Sequence, residues 1–81
     1  MTHKERLYKA LKSELEAKVN EALLSLDLCF NNPTAIGEHT SEHFVKEASK
    51  ALDKLTEARD KIDVLNTYME GDLGNKKLLN D

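Results

Sequence analysis

The chain has 81 residues, a formal charge of −3 and 33% charged side chains, which is room for one small domain. At this size a lone core rarely contributes more than ~3–5 kcal/mol without disulfides, metal or oligomerisation. The single cysteine, Cys29, excludes an intrachain disulfide and fits a buried, unreactive thiol in a reducing compartment. No run approaches the ~20 apolar residues of a membrane span, and the opening Met1-Thr2-His3-Lys4-Glu5-Arg6 is no signal-peptide core, so a cytoplasmic protein without membrane contact is expected.

Residues 4–30 contain no proline or glycine and are dense in Leu, Ala, Glu and Lys, which predicts one unbroken helix. Tyr8, Leu11, Leu15, Val19, Ala22, Leu26 and Phe30 form its apolar stripe, with an eleven-residue spacing that suits a straight or slightly right-handed path. Near its end Leu24 and Leu28 point away from Leu26 and Phe30, giving a second apolar face. Lys4, Arg6, Lys9 and Lys12 crowd the first turns; beside Asp60, Asp63 and Glu70 of an antiparallel partner helix they are neutralised, which argues against nucleic acid as a ligand.

A connection spans residues 31–40, longer than two helices need. Asn31 can end the first helix, Pro33 stiffens the exit and biases Asn32 to extended geometry, Gly37 permits an unusual backbone angle, and Ile36 is an apolar anchor for the end of a bundle. Thr40 or Ser41 is then a good N-cap for a second helix over 41–70, with Gly71 as its left-handed stop. Phe44, Ala48, Ala51, Leu55, Ala58, Ile62, Leu65 and Met69 alternate spacings of 4 and 3, a coiled-coil seam, with Val45 and Leu52 as a strip to one side. Residues 71–81 read as a polar tail in which Leu78-Leu79 is a candidate docking segment.

The expected fold is therefore all-α: an antiparallel two-helix hairpin over 1–70, coiled-coil-like, assembling into a helical bundle by homo-oligomerisation. A two-helix rod leaves each seam half exposed, and Leu24, Leu28, Val45 and Leu52 have no intrachain partner. These four are the predicted interface of a dimer or higher oligomer.

The segment Asn32-Pro33-Thr34-Ala35-Ile36-Gly37-Glu38-His39-Thr40 lies between a helix opening Lys4-Glu5-Arg6-Leu7 and one containing Ala51-Leu52-Asp53-Lys54-Leu55-Thr56-Glu57-Ala58. Over about residues 4–70 this arrangement resembles small helical-hairpin proteins of tailed phages, whose turn reads Asn-Pro-x-Gly-Ile-Gly-Glu-His-Pro-Asp. The match holds at Asn32, Pro33, Ile36, Gly37, Glu38 and His39 and departs at Ala35, Thr40 and Ser41. The resemblance implies a phage origin, and hence the host cytoplasm, without naming an activity.

Three chemistries can be weighed on these residues. His39 and His43 are spaced i,i+4 as in many zinc sites, but His39 precedes the helix and no third ligand has fixed spacing; capping and helix-dipole roles for Glu38, Thr40, Ser41 and Glu42 are the simpler reading. Gly37, two hydroxyls and two histidines at a helix start can hold an anion, such as an immune-signalling nucleotide bound between subunits, although Glu38 and Glu42 oppose it. A nucleophile with its base, or a glycine-rich phosphate loop, is not present in the sequence, so no enzyme and no cofactor are expected. The leading expectation is a non-enzymatic, self-associating phage accessory protein that binds a host or phage protein through the surface from Asn32 to His43. The alternatives are the nucleotide sponge and a minor virion structural protein.

Overall fold

In the computed structural model, residues 1–31 and 41–71 are described, and all their regular structure is helical. Helix α1 runs His3–Asn31 and α2 runs Ser41–Met69, 29 residues each, so each is about 44 Å long. Tyr8 meets Asn66 near one end, Glu21 meets Lys54 in the middle, and Cys29 shares a shallow hollow with Phe44 and Ala48 at the other. The chain is an antiparallel helical hairpin.

A capping box starts α1. The Glu5 N–H donates to Thr2 Oγ1 (3.1 Å), while the Glu5 carboxylate accepts from the Thr2 N–H and hydroxyl (3.0 Å each). Two of the donors that a helix start leaves unpaired are thereby satisfied, and these bonds hold the Glu5 carboxyl below its ordinary range. At the far end of α2 the Gly71 N–H donates to the Tyr68 carbonyl (3.0 Å) and Gly71 adopts φ +83°, the left-handed stop that a side chain would strain.

The seam is a matched pair of heptads. In α2 all eight stripe residues, Phe44 through Met69, are buried or half-buried. In α1 the structure departs from the eleven-residue stripe: Tyr8, Leu15, Ala22 and Cys29, each seven residues on, line the seam, with Val19 and Leu26 beside them. Phe30, four beyond Leu26, is 72% exposed, and Leu11 lies at the seam's margin. A supercoiled partner with a seven-residue repeat can follow only seven-residue rows, so the stripe that continues in fours drifts off the contact and Cys29 takes the position expected of Phe30.

Only Leu15, Ala22, Ala51 and Ala58 are buried among the described residues. A methyl group has little reach, so alanines at 1–4% exposure require the opposing helix to lie close. Tyr8 Oη donates to Asn66 Oδ1 (2.8 Å) across the seam, and the Lys54 ammonium pairs with Glu21 from helix to helix, lowering the Glu21 carboxyl. Below and above these contacts the rod has two broad faces open to solvent.

Candidate interaction surfaces

Rows spaced by seven stay on one face of a heptad hairpin, so the faces can be read directly. On one, Glu16, Val19 and Asn20 line an open hollow of about 520 Å³ with Arg59, Ile62 and Asp63. The row of Glu16 continues to Leu23 and Phe30, and the row of Arg59 runs back to Leu52 and Val45. This Arg59 face is therefore charged toward the chain ends and apolar toward the connection. Leu52 (51%) and Val45 (70%) are strongly exposed, and Phe30 and Val45 share the hollow that holds Cys29.

The opposite face inverts the pattern. Leu11, Leu15, Val64, Leu65 and Tyr68 form an apolar groove of about 510 Å³ with Glu14, Lys18, Asp60 and Lys61 on its rim, toward the chain ends. Leu7, in the row of Glu14 and Glu21, extends it, and Lys4 Nζ lies 5.8 Å from the Tyr68 ring. Ion pairs run along this Tyr68 face, Lys18 with Glu14 (3.8 Å) and Lys61 with Glu57 (2.9 Å) at the groove's rim, and Lys54 with Glu21 and Lys50 with Glu47 (3.7 Å) farther toward the connection. The Lys61 contact holds the Glu57 carboxyl below its ordinary range. All are exposed pairs, worth little individually.

The four predicted interface residues fall into different places. Val45 and Leu52 lie together on the Arg59 face. Leu28 ends the row of Leu7, Glu14 and Glu21 on the Tyr68 face, and Leu24, in the row of Ala10 and Ala17, lies on the outer side of α1. All four are exposed. Leu23, Val64 and Tyr68 are surface residues that the sequence reading passed over; a count in sevens from Glu16, Glu57 and Lys61 finds them.

Of the predicted loop surface, Asn32, Pro33, Ile36, Gly37, Glu38, His39 and Thr40 lie outside the described residues, as does the tail from Asp72 onward. Ser41 is exposed at the start of α2, and His43 is half-buried with its ring edge-on to Phe44 (6.4 Å between centroids). The weak metal candidate of His39 with His43 thus includes a position outside the described residues. Among the described residues no three His, Cys, Asp or Glu side chains gather as metal ligands would, and no helix is long and apolar enough to cross a membrane. The basic start of α1 engages aromatic rings, Lys4 over Tyr68 and Lys12 over Tyr8 (5.7 Å), in place of ion pairs with Asp60, Asp63 or Glu70. No family model, curated protein or solved structure matches the chain.

Proposed function

We propose that this chain is a non-enzymatic, self-associating binding protein, an accessory protein of a tailed phage whose homo-oligomer presents its helix faces and connecting segment to a host or phage protein. The observation that carries the reading is the exposure of large apolar side chains on both faces of a rod whose described residues include one buried leucine and three buried alanines. Such a seam contributes little burial for two helices of this length, and contiguous apolar surface on a small chain marks a contact with another protein surface. The phage assignment rests on the turn from Asn32 to His39, and the absence of a catalytic set in the sequence underlies the non-enzymatic part.

If the folded state is an oligomer, mass action makes its stability depend on concentration. The melting temperature should rise steadily when the chain is diluted less, from sub-micromolar to hundreds of micromolar. A melting temperature constant across that range contradicts self-association. The nucleotide-sponge alternative, motivated by Gly37, His39 and His43, predicts a rise in melting temperature with a cyclic or adenine nucleotide that His39→Ala or His43→Ala abolishes; no shift across a nucleotide panel eliminates it.

A further inference from the structure

We infer that the segment after α2, residues 72–81, docks in the apolar groove of the Tyr68 face of its own chain, seating Leu73, Leu78 and Leu79 against Leu11, Val64 and Tyr68. The inference does not depend on self-association. It rests first on where α2 releases the chain. Gly71 stands in the heptad row of Glu57 and Val64, so the helix ends on the groove's side of the rod. There the Gly71 N–H donates to the Tyr68 carbonyl (3.0 Å) and Gly71 turns left-handed (φ +83°), which directs the chain off the helix axis beside Tyr68, the end wall of the groove.

Reach and size favour this occupant. From Asp60 to Tyr68 the groove is about 12 Å long at 1.5 Å per residue, and Leu78, seven residues beyond Gly71, can stand up to about 23 Å from it, so the tail spans the whole groove. A hollow of about 510 Å³ takes a few side chains, whereas a separate protein contributes roughly 20–30 residues a side. A tethered segment meets the groove at an effective concentration of about a millimolar, which populates a three-leucine contact that is too weak between separate molecules. Charge supports the same match. On or beside the rim, Lys18 and Lys61 are paired with Glu14 and Glu57, while Asp60 has no ion-pair partner among the described residues. Lys76 and Lys77, directly before Leu78, carry the sign that Asp60 takes, and Asp72 carries the sign that suits Lys4, whose ammonium lies 5.8 Å from the Tyr68 ring.

Disulfide trapping in the full chain tests this. In a Cys29→Ser background, Leu79→Cys is combined either with Val64→Cys, in the groove, or with Asp63→Cys, at nearly the same distance from Gly71 but on the Arg59 face; both helix positions are exposed. A disulfide needs the two residues within about 7 Å, so on mild oxidation the Val64 pair should close within the chain about tenfold faster or more than the Asp63 pair. Leu78→Asp added to the Val64 pair should bring its rate down toward that of the Asp63 pair. Equal rates for the two pairs, or a Val64 preference that Leu78→Asp leaves intact, overturns the inference. A Val64 bond that forms between chains, doubling the mass under denaturing conditions, also overturns same-chain docking and assigns the groove to a neighbour's tail.

Discussion

Individual side chains decide how closely the helices approach. Ala58 is 2% exposed in the seam, where a larger side chain would push against the opposing helix. Ala58→Leu should destabilise the hairpin by about 1–3 kcal/mol, measured by urea unfolding, as overpacking of a filled seam does; a neutral result would place the helices farther apart than described. The carboxylates give a second residue-scale test. Glu5, Glu21 and Glu57 are each held below their ordinary range, by Thr2, Lys54 and Lys61 respectively. A depressed carboxyl favours the folded state above its unfolded value, and that contribution is lost as pH falls through the lower folded value. Helicity should therefore decline on acidification through the carboxylate range, and Glu21→Gln should flatten part of that decline. Helicity that climbs on acidification would contradict these assignments.

At the scale of the elements, a side-chain hydrogen bond ties the helices together at the chain ends. The Tyr8–Asn66 hydrogen bond is the polar link across the seam there, and Tyr8→Phe should cost roughly 1 kcal/mol of stability in thermal or urea melts. Much of this level was legible in the sequence. The all-helical class and the packing of two helices follow from unbroken helix formers on either side of Pro33, and the α2 seam follows from its strict 4-and-3 spacing. The α1 seam was misread at its end because the apolar residues themselves run in fours near Phe30, and only the partner's heptad selects Cys29 instead. The Thr2–Glu5 box was present as Ser/Thr-x-x-Glu but overlooked, since the helix was started at Lys4 and the cap sits just before it.

For the whole molecule, exposure matters more than burial. The sequence reading gathered Leu24, Leu28, Val45 and Leu52 into one interface because each falls off the apolar stripe; distance from the stripe does not say on which side a residue falls, and the hairpin separates them onto three surfaces. The inversion of apolar and charged halves between the two faces is visible only once both helices are placed in heptad phase. The binding surface from Asn32 to Thr40 was read from turn chemistry, lies outside the described residues, and stays a proposal.

Whether this rod is one subunit of a larger assembly can be measured by sedimentation equilibrium of the unmodified 9.2 kDa chain at micromolar concentration, with helicity followed in the same samples. The expected mass is a multiple of the chain's. A fully helical, stably folded species of one chain's mass would contradict it.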